Sequence, residues 1–232
     1  KAGLIVKWNG SEWRDEINRS WNSSIPYTLA DVDIAVVNAS GSVLPTSVSQ
    51  QVTGVGTHVG NMAFDTAQSR LLVANLEDIN QVRFEPNLRG KFQSNRITIL
   101  SNAGNGTLTV SSTPDLNSHV DFNNVGGSDS ERALSLALPA DLVRKSDGTL
   151  FVAATSSGRV GVLSSDGLVT GRVAVGQGPT GLALDEGRNS LYVLNRFDQT
   201  ISVVDTNSKL QTSVVSIGRN PESSSVRNGR RF

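Results

Sequence analysis

The chain has 232 residues, enough for one large β domain or two small ones. Its 21 basic and 21 acidic side chains cancel, which argues against nucleic acid and anionic membrane surfaces as partners. Cysteine is absent, which excludes disulfides, thiolate metal centres and covalent c-type haem within this chain, and no apolar run approaches the roughly 18 residues that span a bilayer.

Lys1–Lys7 read as a strand with neither an initiator Met nor a signal peptide, the pattern of a processed or truncated chain. "GLIVKWNG" from Gly3 matches the later "SLYVLNR", and "DIAVVNAS" from Asp33 matches "TISVVDT", so a partial repeat comes first. "NMAFDTAQSRLLVANLED" from Asn61 opens a second unit that resumes at "NRITIL", Asn95–Leu100. Two full units follow, Leu138–Gly176 and Gly178–Gly218. Pro139 and Pro179, Leu150 and Leu191, Val160 and Ile201, and Gly176 and Gly218 match at offsets of 40, 41, 41 and 42. In the last unit the strand-like runs are Thr180–Asp185, Leu191–Asn195, Thr200–Asp205 and Thr212–Ile217, joined by turn-forming Asp, Asn, Gly and Ser. Asn9-Gly10, Asp147-Gly148 and Asp166-Gly167 are hairpin dipeptides. Only Asp129–Leu138 has helical spacing, for one or two turns.

A four-stranded unit recurring about every 40 residues is a propeller blade. The sequence therefore predicts an all-β chain, a β-propeller of four-stranded antiparallel blades. About four blades are expected, over 1–56, 57–137, 138–177 and 178–220, with 221–232 beginning the next blade or a linker. An open array of four leaves a bare strand edge, which favours part of a larger propeller over a free-standing ring. Leu150, Val152, Val160, Val162, Leu191, Val193, Ile201 and Val203 are expected between blades, with Phe151, Tyr192 and Val204 also covered.

"LYVLN", "ISVVDT" and "GPTGLALDE" resemble the YVTN-type β-propeller repeats of bacterial secreted and surface proteins. "NQVRFEPNLRGKFQSNRITIL" and "NPESSSVRNGRRF" are similar to segments of large bacterial proteins that join such a propeller to a c-type cytochrome domain. In that group a Cys-x-x-Cys-His segment follows soon after the equivalent of "NGRRF". The resemblance implies an extracellular, cell-surface or periplasmic location. It also implies haem c in a portion downstream of Phe232, with no cofactor in this chain.

In a meander of strands a, b, c and d, the b–c and d-to-next-a connections emerge on one face. Two insertions use those connections, one from Asn75 to about Asn95 and one from about Thr113 to Leu138. Long loops on a rigid scaffold are common binding sites. Arg83, Phe84, Glu85, Arg89 and Phe92, with Lys91 among them, are the candidates for a protein interface, because aromatics beside Arg bury large area and pair in a planar geometry. The competing uses are packing of Phe84 and Phe92 onto their own blade and covering an edge toward an attached domain. Asp115, Asp121 and Asp129 are candidate calcium ligands, although their spacing departs from the EF-hand loop and solvated turns use the same residues.

Catalytic signals are sparse. His58 and His119 are the two histidines, neither in a zinc signature, and "GVGTHVG" misses the dinucleotide spacing. Asn61, Asp65, Asp141 and Asp185 lie on or beside inner strands, where lactone-hydrolysing propellers keep carboxylates and amides; turn chemistry is the competing role for Asp65 and Asp185. The leading expectation is a non-enzymatic interaction and assembly module with protein partners, neither nucleic-acid-binding nor membrane-spanning. The alternative is a hydrolytic propeller enzyme of the sugar-lactonase type.

Overall fold

The structure, a computed structural model, describes residues 5–25, 31–39, 47–79, 89–102, 106–125 and 127–229. Arg83, Phe84 and Glu85 lie outside them. Three consecutive four-stranded antiparallel sheets dominate the chain. Blade A comprises β5 (His58–Asp65), β6 (Arg70–Asp78), β7 (Gln93–Asn102) and β8 (Leu108–Ser112). Blade B comprises β9 (Pro139–Arg144), β10 (Leu150–Ala154), β11 (Arg159–Leu163) and β12 (Val169–Ala174). Blade C comprises β13 (Pro179–Asp185), β14 (Ser190–Asn195), β15 (Thr200–Asp205) and β16 (Leu210–Ser216). In each blade the strands pair in sequence order, and the inner strands β5, β9 and β13 neighbour one another in turn. This is the propeller architecture expected from the repeat.

The turns follow from local chemistry. Gly148 and Gly167 adopt φ of +94° and +79° in the a–b and c–d turns of blade B, conformations that disfavour a side chain. Asp65 and Asp205 accept backbone N–H groups two and three residues on, closing the matching turns in blades A and C.

Ahead of blade A stands a half-blade, β3 (Ile34–Val37) paired with β4 (Val48–Val52). "DIAVVNAS" thus takes the strand c position. Its expected companion does not become strand b, because β1 (Lys7–Trp8) pairs with β2 (Trp13–Arg14) in a separate ribbon. Asn9 accepts the N–H groups of Ser11 and Glu12, so the Asn9-Gly10 turn closes locally and sets Trp8 opposite Trp13. Helices are short: α1 (Asp129–Ala133) in the second insertion and α2 (Ser224–Gly229) after blade C. No helix among the described residues is long and apolar enough to cross a membrane.

Blades are held face to face by aliphatic side chains and Phe151. Ala63, Leu72, Ala74, Ile97 and Ile99 of blade A meet Leu142, Leu150, Val152 and Leu163 of blade B. Phe151, Val160, Val162 and Val173 of blade B meet Leu182, Leu184, Leu191, Val193 and Val204 of blade C. Three expected core residues fall short. Ile201 and Val203 are half-buried and Tyr192 is 36% exposed. All three belong to the side of blade C that faces away from blade B, where no further blade stands among the described residues.

A buried ionic cluster adds a tie on the opposite face from the insertions. Asp65 is fully buried and faces both Arg70 (3.3 Å) and Arg144 Nε (3.0 Å). Arg70 also donates to the Ser165 carbonyl at 2.7 Å, so blade A's first turn is clasped to blade B.

Candidate functional site

The two insertions rise from one face and are bound to each other. The first leaves β6 at Asp78 and re-enters at Gln93, where the Gln93 amide donates to Asp78 (2.7 Å) and Ile79 N–H donates to the Phe92 carbonyl (2.8 Å). Arg89 and Gly90 turn the returning limb through positive φ, +52° and +79°. Arg89 donates from Nε to the Phe122 carbonyl (2.9 Å) and from Nη2 to the Asn123 carbonyl (2.7 Å). Lys91 Nζ pairs with Asp115 at 3.0 Å and lies 5.3 Å from the Phe122 ring centre, a cation–π distance. One insertion thus splints the other.

The second insertion is in turn seated in the core. Leu116 and Leu136 are fully buried in the cluster between blades A and B. Asn117 makes a reciprocal pair with the Leu136 backbone, its Oδ1 accepting N–H at 2.7 Å and its Nδ2 donating to the carbonyl at 3.0 Å. The α1 end carries a capping box: Ser128 Oγ accepts Glu131 N–H and the Glu131 carboxylate accepts Ser128 N–H. The Ser128 N–H, the Ser128 hydroxyl and the Asp121 N–H all donate to the Glu131 carboxylate and, led by the Ser128 backbone, lower the Glu131 carboxyl to about 2. His119 joins the insertion to blade B. Arg172 Nη2 lies 3.2 Å from Nδ1 and has no lone pair to accept with, so Nδ1 accepts, and Nε2–H donates to the Glu131 carbonyl at 2.9 Å.

Against this geometry the sequence candidates separate. Arg89 is spent on internal carbonyls and positions the surface. Phe92 points outward, 58% exposed, and Val125 and Leu134 of the second insertion are also exposed. Asp115, Asp121 and Asp129 are not gathered. Asp115 serves Lys91 and Asn117 N–H, Asp121 accepts Asn123 N–H, and Asp129 pairs with Arg132. Among the described residues no group of three or more His, Cys, Asp or Glu is placed to hold a metal ion. The Lys91–Phe122–Asp115 contact and the Asn117–Leu136 pair escaped the sequence reading; the Asp-x-Asn spacing of Asp115 and Asn117, an Asx-turn pattern, was the available signal.

The inner-strand residues are also engaged. Asp141 accepts from Asn61 Nδ2 (2.7 Å), Leu142 N–H (2.8 Å) and, through its second oxygen, Leu182 N–H (2.7 Å). One carboxylate therefore stitches the inner strands of blades A, B and C. Asp185 caps the turn Glu186–Arg188, and its bond to Arg188 holds its carboxyl below the usual range.

This is a β-propeller assembly, and solved structures agree. The chain is similar in fold to Kuenenia stuttgartiensis hydrazine synthase, with a TM-score of 0.53 and 17% identity over 69% of this chain and 49% of that one. It is also similar to a functionally unknown protein from Desulfotomaculum acetoxidans (TM-score 0.51, 12% identity, 78% and 49% covered). A putative 6-phosphogluconolactonase from Bacteroides uniformis gives 0.51 and 12%, with 78% and 48% covered. The chain thus spans about half the length of these structures. No family model matches the chain, and no curated protein matches it.

Proposed function

We propose that the chain is a non-enzymatic interaction and assembly module, the propeller part of a secreted or cell-surface bacterial protein, which docks a c-type cytochrome portion on its insertion face. The observation that carries this reading is the mutual splint of the two insertions, Arg89 and Lys91 against Phe122, Asn123 and Asp115. A surface fixed before binding loses less entropy on docking, and it presents Phe92, Val125 and Leu134 to a partner. The sequence resemblance to propeller–cytochrome proteins supplies the partner class; haem c belongs to that partner, since this chain has no cysteine.

The lactonase-type alternative would need inner-strand carboxylates free for a substrate or metal, and both Asp141 oxygens already accept hydrogen bonds from neighbouring inner strands. The test is calorimetric titration of the chain with the cytochrome portion of its parent protein. Phe92→Ser combined with Leu134→Ser is expected to weaken binding about tenfold or more, the scale of losing interface anchors. Unchanged affinity, or lactone hydrolysis abolished by Asp141→Asn in a correctly folded chain, would overturn the reading.

A further inference from the structure

We infer that the cleft where β12, β16 and α2 meet is a receptor for a guanidino carboxylate: arginine, free or at the carboxyl end of a peptide. The site uses none of the insertion residues. Its logic starts from one repeat position, the first residue of strand c opposite the end of strand b. Blades A and B put arginine there, Arg96 opposite Asn75 and Arg159 opposite Ala154. Blade C puts Thr200 there, opposite Asn195.

Blade A shows what this place does with a guanidinium. Arg96 donates from Nε to Asn75 Oδ1 (2.9 Å) and from Nη2 to the Val55 carbonyl (3.0 Å) and to Glu77 (3.1 Å). Blade C keeps the frame without the arginine. Asn195 stands for Asn75, and Val175 and Gly176 stand for Val55 and Gly56. Val175, Gly176, Thr200 and the carboxylate-bearing Asp198 line a cleft of about 470 Å³, a volume ordinary for small-molecule sites. Asn195 is fully buried, and its Oδ1 accepts no hydrogen bond. Its Nδ2 faces the hydroxyls of Thr200 (3.0 Å) and Ser202 (2.8 Å). A buried acceptor left without a donor is costly. Turning the amide over gives it the Asn75 orientation, in which Nδ2 serves the strand b carbonyl two residues back and Oδ1 faces an incoming donor.

Charge selects the rest of the ligand. Asp198 Oδ2 accepts Gln177 N–H at 2.6 Å, and among the described residues Asp198 has no ion pair. Arg227 of α2 lines the same cleft, likewise without an ion pair among the described residues. Asn220 ties that segment to the Asp198 turn by donating to the Phe197 carbonyl at 2.6 Å. The remaining lining residues are uncharged. One carboxylate and one guanidinium on a single cleft fit a molecule whose two ends carry opposite charge. Asp198 and Asn195 take its guanidinium, and Arg227 takes its carboxylate.

The test is calorimetric titration of the 232-residue chain with arginine, agmatine, citrulline and glycyl-arginine. Arginine is expected to bind. Citrulline, with a neutral urea in place of the guanidinium, and agmatine, without the carboxylate, should each bind about tenfold or more weakly, the scale of one charge-assisted hydrogen bond. Asp198→Asn should weaken arginine by a similar factor, and Arg227→Ala should erase the preference for arginine over agmatine. Thr200→Arg supplies the blade A residue in place, so it should block binding and raise the melting temperature. Glycyl-arginine binding at least as tightly as arginine assigns the site to peptide ends, and exclusion of the dipeptide assigns it to the free amino acid; both uphold the inference. Citrulline equal to arginine, arginine binding unchanged in folded Asp198→Asn, or no binding at millimolar arginine overturns it.

Discussion

Three positions that look unrelated in sequence form one packing unit inside each blade. In blade A they are Gly56, Asn75 and Thr98, and in blade C Gly176, Asn195 and Ser202; the Asn amide donates to the hydroxyl at 2.8 Å in both. A Cβ on Gly56 or Gly176 would lie 2.6 Å or 2.7 Å from the Asn side chain. In blade B the same sites hold Leu136, Ala154 and Gly161, and a Cβ on Gly161 would lie 2.7 Å from Leu136 Cδ1. Leu136 fills the room vacated by the amide and hydroxyl. Leu136→Ala is therefore expected to cost about 2–5 kcal/mol, read from urea denaturation. Leu136→Gly combined with Ala154→Asn and Gly161→Ser should recover most of the loss of Leu136→Gly alone, whereas additive costs would refute the unit. The exchange was illegible in sequence because it couples residues 136, 154 and 161 only through space.

A second residue-scale effect depends on pH. The folded Glu131 carboxyl sits at about 2, below its ordinary 4.5, so the stability it contributes is present above 4.5 and is lost as pH falls toward 2. Thermal melts of Glu131→Gln should thus lie below wild type at neutral pH and converge with it near pH 2. A constant gap across that window would show that Glu131 acts by packing alone.

At the scale of elements, the strands and the places of the two insertions were legible, and the insertions' internal shape was not. The last blade's β13, β14 and β15 stand where the Val, Ile, Leu and Tyr runs put them, because alternation and turn residues agree locally. The insertions owe their shape to long-range pairs such as Asn117 with Leu136 and Arg89 with Phe122, which no local pattern announces. Of the candidate site, the sequence left Phe92 open between an interface and packing onto its own blade, and its outward position, 58% exposed, and the tying role of Arg89 both required the structure. Element junctions are where substitution should be most costly. Asp65→Asn leaves Arg70 and Arg144, both largely buried, without their shared anion. Breaking such a buried pair costs about 3–5 kcal/mol, so chemical denaturation should show a loss in that range. A loss below about 1 kcal/mol would mean that water reaches the cluster and that the clasp between blades A and B is weak.

At the scale of the whole molecule, cost depends on where in the ring a repeat position falls. The half-blade covers Leu71, Val73 and Leu100 of blade A, yet Met62 and Phe64 on the same side remain exposed, since β3 and β4 supply only the two outer strands. At the other end Tyr192 is uncovered although its blade B counterpart, Phe151, has no exposure. The sequence cannot distinguish these two aromatics, because each stands between Leu and Val on a strand b; only the presence of a following blade does. Phe151→Ala is expected to cost about 3–5 kcal/mol, the range for emptying a packed aromatic site. Tyr192→Ala in the same chain, at a site already 36% exposed, removes less buried area and should cost clearly less than Phe151→Ala. Urea denaturation of the two variants decides the matter. Equal costs would mean that the outer side of blade C already packs in solution, and the unequal burial of this repeat would have to be abandoned.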